Sequence, residues 1–396
     1  MSFAAAIALL VTLVIQSMVA MALLSLPVMA PVVGQALGVS PALVGVYVAV
    51  TYAGAMMASL LGGDTVRRLG AIRVSQWGLL LCATGLLLCT LPHLPAIALG
   101  AVLIGLGYGP ITPASSHVLA RTTPPAQMSL VFSIKQTGVP VGSMLAGAIV
   151  PSLLLGIDWQ ASLAAVALVC VVCAVLAQPL RAGLDADRDA HHPVHLGSLA
   201  RPVRLVLAHR SLSTMAACSF MFSMVQMSLT TYLVTYLNQD LAFGIVAAGL
   251  ALSAAQMGGV AGRIAWGYIA DRWLGASRTL MLLAALMVAS ALATTLLSSQ
   301  TPRWLLVPVL VVFGASAIGW NGVYLAEVAR QAPAGQASLA TGGTLAFTFL
   351  GVVIGPPVFG LLATVFGTYR AGFFALMGVA SLCGLLLWRL QTSRSA

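Results

Sequence analysis

Residues Gly262–Arg278, GRIAWGYIADRWLGASR, decide how the rest of the chain is read. An apolar run ends in small residues, Gly267, Asp271 and Arg272 follow within two helical turns, the chain turns at Gly275, and Arg278 adds a further cation. On either side the sequence is apolar for about the 20 residues a helix needs to cross a bilayer. An altered second version, GDTVRRLGAIR, occupies Gly63–Arg73. It keeps the glycine and the second cation but carries Arg67 at the position of Asp271.

Composition agrees with a membrane setting. Of 396 residues, 60% are hydrophobic and 7% charged, and mean hydropathy is +1.03. Soluble domains carry about 25% charged residues, so a polytopic membrane protein is expected. The net charge of +10 comes with one lysine and no basic run, which argues against a nucleic-acid partner. All six cysteines lie in apolar runs, and Cys170–Cys173 has no flanking histidine or cysteine, so buried small residues are expected rather than a metal or redox centre. No cofactor is implied. The N-terminus lacks a basic region, and its first apolar run is longer than a cleaved signal, so it is expected to remain as a span.

Twelve apolar runs are expected to form helical spans, with cores at 6–32, 41–61, 74–92, 96–119, 127–153, 160–180, 212–237, 244–268, 279–299, 304–328, 336–365 and 370–389. A lipid-exposed backbone must satisfy its own hydrogen bonds, and the two-residue period of a barrel is absent. With the N-terminus inside, fifteen arginines fall on the cytoplasmic side and only Arg303 and Arg370 outside. That bias predicts a multi-pass protein of the inner (plasma) membrane with both termini cytoplasmic.

The hydrophilic stretch Arg181–Arg210 holds Asp185, Asp187, Asp189, His191, His192 and His195. Closely spaced His and Asp can bind a metal, but a solvated, mobile linker is the favoured reading. The expected organisation is 1–181 as one six-helix bundle, 182–210 as a cytoplasmic linker and 211–396 as a second bundle.

The two halves repeat. Gly45, Gly54, Gly63 and Arg68 match Gly249, Gly258, Gly267 and Arg272 at an offset of 204 positions. Arg121, Pro124, Gln127, Ser129, Leu130 and Gly142 match Arg330, Pro333, Gln336, Ser338, Leu339 and Gly351 at 209, and Gln16 matches Gln226 at 210. Parallel repeats with a site near the midplane are a transporter architecture. The Gly267/Asp271/Arg272 loop resembles the signature loop between the second and third helices of each half in the major facilitator superfamily. The resemblance covers nearly the whole chain. It implies an all-α membrane fold of twelve helices in two pseudo-symmetric six-helix bundles, and secondary transport without enzymatic activity.

Lys135 is the sharpest single feature. It lies about nine residues into span five, hence about 13 Å deep, where a cation costs at least about 2.5 kcal/mol and faces a polar cavity or a partner. No acidic residue falls at its depth in any span, which points to an anionic substrate; snorkelling or a structural ion pair is the alternative. Its repeat mate is Thr344. At similar depth stand Gln16, Tyr108, Gln136, Gln226, Gln256, Trp320 and Asn321, which can orient a polar solute or simply bond between helices. By resemblance, spans one, four, seven and ten line the cavity, which favours Gln16, Tyr108, Gln226, Trp320 and Asn321. Trp320, Asn321, Tyr324 and Glu327 share a helical face by spacing.

Arg263 is placed like the carboxylate-binding arginine of monocarboxylate transporters; substrate contact and a gate or structural role both stand. Glu327 is expected to pair with Arg272 or Arg263 as a gate, with proton coupling as the minor alternative. His117 could titrate near neutral pH or simply pack. Gly138, Gly142 and Pro140 in span five loosely resemble the glycine–proline motif of drug:proton antiporters. By resemblance, Asp271 latches against the start of span five, and Arg67 weakens the pseudo-symmetric latch, with Asp64 compensating through Arg67 or Arg68.

The expected function is therefore transport of a small organic anion, a carboxylate, by alternating access, in symport or exchange with a proton or counter-anion. The alternative is a proton-coupled exporter of drugs or amphipathic metabolites. The expected partners are the small-molecule substrate and the lipid bilayer, with the protein a monomer. An intramembrane protease lacks paired intramembrane aspartates, neighbouring Ser116 and His117 cannot form a catalytic pair, and no nucleotide loop is present.

Overall fold

The computed structural model describes residues 3–124, 127–192, 200–333 and 336–395. Pro125 and Ala334, where spans five and eleven are expected to begin, and His195 lie outside the described residues. Among the described residues every regular element is helical, as a chain this apolar requires when lipid offers the backbone no hydrogen-bond partner.

Among the described residues eleven helices are long and apolar enough to cross a membrane. The twelfth segment, expected as span five, is divided into Met128–Gln136 and Gly138–Leu153. Pro140 has no N–H for the Gln136 carbonyl, which explains a break at this point. Span four is divided in the same way, into Leu94–Tyr108 and Ile111–Thr122, at Gly109-Pro110. Span ten divides at Trp320, into Arg303–Gly319 and Asn321–Gln331, without a proline. The breaks in spans four and ten fall within one or two residues of equivalent repeat positions. Broken helices bring unsatisfied backbone to mid-membrane, which is tolerated where it faces protein or a polar cavity.

The chain forms two compact units. The first comprises Met1–Val39 and Val50–Gly197; the second comprises Ser40–Ala49 and Ser198–Ala396. Inside the first, spans two and four approach until a methyl group on Gly105 or Gly109 would overlap the carbonyl oxygen of Thr51 or Ala55. Inside the second, Gly258 and Gly314 meet the carbonyls of Val311 and Ala255 in the same way, joining spans eight and ten. Close backbone approach gains dispersion energy where lipid tails remove the usual hydrophobic drive. The second unit also buries Tyr232, whose hydroxyl donates to the carbonyl of Ala42 at 2.7 Å and lies 3.0 Å from that of Pro356. Its ring stacks on Phe359 with centroids 4.6 Å apart.

The acidic stretch expected as a linker follows span six. Over residues 181–192 it is bound to the arginine-rich end of the first unit. Asp185, only 4% exposed, accepts the Ile72 amide on Oδ1 at 2.7 Å and the Arg73 amide on Oδ2 at 3.1 Å. A carboxylate there satisfies free amides and sits at the positive end of the helix Ala71–Cys89. Gly70 makes this possible: its φ of +95° turns the chain, and a Cβ at Gly70 would overlap the Asp185 carboxyl. In the second unit the helix Ala200–Ala208 lays Pro202 and Val206 against Gly343 at the start of span eleven.

Candidate functional site

In the first unit the three segments that meet around Gln16 belong to spans one, four and five. Gln16 is fully buried. Its carbonyl oxygen accepts the Thr112 hydroxyl at 3.4 Å, and its amide nitrogen has no acceptor among the described residues. Gly138 stands against the Gln16 stem, so that even a Cβ would come within 2.9 Å of it. Lys135 lies one turn before Gly138, on the other side of the break in span five, and is 1% exposed. Lys135 thus stands one turn along span five from the contact with Gln16, and both side chains end in hydrogen-bond donors. Gln136 is half-buried beside them in sequence. Tyr108, the last residue before the break in span four, sets its ring edge-on to Tyr52 at 5.8 Å.

The second unit repeats the amide contact. Gln226, the mate of Gln16, accepts Asn321 Nδ2 at 3.4 Å, and Asn321 is the mate of Thr112. Here the indole of Trp320 adds a second donor to Gln226 Oε1 at 2.9 Å. Trp320 is in turn held by Phe222 and Tyr324, with centroids 5.4 and 5.2 Å away. Tyr324 is buried, and its hydroxyl makes no hydrogen bond among the described residues; Thr344, the mate of Lys135, donates to the Thr341 carbonyl. Gln256 is buried and donates to Thr230 at 3.2 Å.

The break in span ten gives Arg263 a definite contact. Its Nε donates to the carbonyl of Ile318 at 3.2 Å, which Asn321 Nδ2 also approaches at 3.4 Å. Trp266, one turn on, donates to the Ala315 carbonyl at 2.9 Å. Both side chains thus serve carbonyls of the last turns before the break. Glu327 is fully buried and accepts Arg330 Nε at 2.9 Å, Arg330 Nη2 at 2.8 Å, Ser277 Oγ at 3.0 Å and the Gln331 amide. Arg330, on the same helix, thus grips Glu327 with two nitrogens.

Asp271 and Arg272 lie exposed in a π-helical turn, Ala270–Leu274, that follows Gly267; no bond of the Asp271 carboxylate occurs among the described residues. In the altered copy, Arg67 and Arg68 are exposed, and Asp64 Oδ1 meets His192 Nε2 at 3.0 Å. The Arg67 carbonyl accepts the Asp189 amide at 2.8 Å. His117 bonds Asp187 at 2.7 Å, and Arg121 pairs with the other Asp187 oxygen. Thr112 was legible through the repeat, as the mate of Asn321. The roles of Asp185, Asp187, Ser277 and Arg330 had no such signal, because each depends on how separate helix ends meet.

A sequence profile described as "Major Facilitator Superfamily" matches residues 8–343. An uncharacterized MFS-type transporter of Mycobacterium tuberculosis is 27% identical over 285 residues, covering 72% of this chain and 62% of the relative. A probable chloroplastic anion transporter of Oryza sativa subsp. japonica is 24% identical over 362 residues, covering 86% of this chain and 59% of the relative. The chain thus spans about three fifths of the length of these curated relatives. Among solved structures, a nucleoside transporter superposes with a TM-score of 0.79 at 15% identity, over 96% of this chain and 99% of the other. A peptide transporter in complex with sulfate gives 0.76 at 16% identity, over 98% and 94%. A D-xylose–proton symporter gives 0.76 at 15% identity, over 97% and 96%. Profile, helical repeat and fold agree, and the chain belongs to the major facilitator superfamily.

Proposed function

We propose that the protein is a secondary active transporter that moves a small organic anion, a carboxylate, across the membrane by alternating access. Lys135 carries this reading: it is a buried ammonium on a broken helix, one turn from the contact with Gln16. Both groups donate hydrogen bonds, and a carboxylate is acceptor-only. Discontinuous helices are the elements from which transporters of related architecture build their substrate sites. The name of the rice relative, a probable anion transporter, points the same way. Gln16, Tyr108 and Gln136 orient the solute in the first unit; Gln226, Trp320, Asn321 and Tyr324 are the substrate-contact candidates of the second, with Arg263 holding the break in span ten. Gly267, Asp271, Arg272 and Glu327 serve gating in the second unit, and Asp64, Arg67 and Arg68 in the first. Movement is coupled to a proton or a counter-anion, and the monomer lies in the inner membrane with both termini cytoplasmic.

The test is a thermal-shift screen of the purified chain against small carboxylates, sugars, amino acids and cationic amphiphiles, followed by uptake into proteoliposomes. Ligand binding to the folded state raises its stability by mass action. Stabilisation and uptake confined to carboxylates support the proposal. Stabilisation by cationic amphiphiles alone overturns it in favour of an exporter of drugs or amphipathic metabolites.

A further inference from the structure

The two repeats solve the same electrostatic problem with carboxylates from different places. In the second unit Glu327 joins Arg330 to Ser277, which opens the helix after the positive-φ turn at Gly275. The offset of 209 makes Val118 and Arg121 the equivalents in the first unit, and the matching positive-φ turn is Gly70, two residues before Ile72 as Gly275 is two before Ser277. Val118 is buried and apolar, so span four offers Arg121 no carboxylate. Two aspartates from beyond span six stand there instead: Asp187 on Arg121 and His117, and Asp185 on the amides of Ile72 and Arg73.

We propose that residues 185–192 form an intramolecular strap that replaces, in the first unit, the carboxylate that span ten carries in the second. The strap ties the arginine-rich ends of spans two, three and four into one block. Four contacts carry it, spread over three spans. Asp185 caps span three, and Asp187 grips the end of span four. The Asp189 amide donates to the Arg67 carbonyl at 2.8 Å, and His192 meets Asp64 at 3.0 Å, both on span two. The strap also supplies negative charge beside a loop whose expected aspartate is Arg67. It therefore acts at the altered signature loop, where the family pattern is broken, and is independent of the substrate reading above.

The test is hydrogen–deuterium exchange of the full-length protein, wild type against Asp187→Asn, Val118→Glu and the double variant. In the wild type the amides of Ile72, Arg73 and Asp189 should exchange at least tenfold more slowly than unstructured amides. Asp187→Asn should speed exchange over 117–121 and 185–192. Val118→Glu, which places a carboxylate one turn before Arg121 as Glu327 stands before Arg330, should restore slow exchange over 117–121 in the Asp187→Asn background. It should leave 185–192 fast. Unstructured-like exchange of Asp189 in the wild type overturns the strap, a result that needs no variant to fold. Failure of Val118→Glu to restore 117–121 in a folded double variant overturns the equivalence with Glu327.

Discussion

Replacing Lys135 with methionine keeps an unbranched, helix-compatible side chain and removes the one charge on span five. Lys135 is 1% exposed, so a carboxylate bound to it exchanges water for a buried, charge-assisted hydrogen bond. Such bonds contribute about 1.5–3 kcal/mol. At about 1.4 kcal/mol per tenfold change, Lys135→Met should weaken carboxylate binding roughly ten- to hundredfold. Gln16→Leu removes a neutral donor worth about 0.5–1.5 kcal/mol and should cost about two- to tenfold. Kd is measured calorimetrically on purified protein with the carboxylate that the screen identifies, and with the matching carboxamide. The amide carries no charge, so its weaker binding should be nearly the same in wild type and Lys135→Met. A carboxylate Kd within twofold of wild type in Lys135→Met would refute the reasoning. An equal loss for the carboxamide would refute it too, because the lysine would then be acting through packing.

Three further outcomes are expected. Gly105→Ala puts a methyl group into the Thr51 carbonyl and should cost about 1–3 kcal/mol, as overpacking does, read as a lower unfolding midpoint in detergent. Asp271→Asn changes an exposed side chain, so stability should move by less than about 0.5 kcal/mol. If Asp271 is a latch, labelling of engineered cysteines from the two sides of the membrane should nevertheless shift; unchanged labelling rejects the latch. Burial raises the Asp187 carboxyl, but the His117 hydrogen bond and the Arg121 charge outweigh it and hold the group below the usual carboxylate range. Its contribution is therefore present above that range and lost as pH falls through the lowered value. Exchange at 185–192, corrected for intrinsic rate, should accelerate only below about pH 4.

Much of the candidate site was legible before any tertiary contact was known. Lys135 stands out because charge is costly in an apolar helix, and Gln16 and Gln226 stand out because the repeat aligns them. Thr112 and Asn321 follow from the same alignment, and their contacts to the two glutamines are equivalent. The break in span five was foreshadowed by Pro140, whereas the break in span ten has no proline to announce it. Glu327 shows the limit most clearly. Spacing placed it on a shared face and at the end of its span, but not on Arg330, three residues away and largely exposed.

By itself the sequence determined the kind of element, the internal repeat and where polar residues fall along each apolar run. Lipid leaves the backbone only helical solutions, and a rise of 1.5 Å per residue turns position into depth. The tertiary structure decided which polar groups meet. These spans are apolar on nearly every face, so hydropathy does not fix their rotation, and small residues set the approach instead. The meeting of Asp185 with Ile72, 113 positions away, depends on that rotation and on the turn at Gly70. So does the reading of the signature stretch: its second-half copy stands exposed at Asp271, while its altered first-half copy is bound by Asp185, Asp189 and His192 from beyond span six.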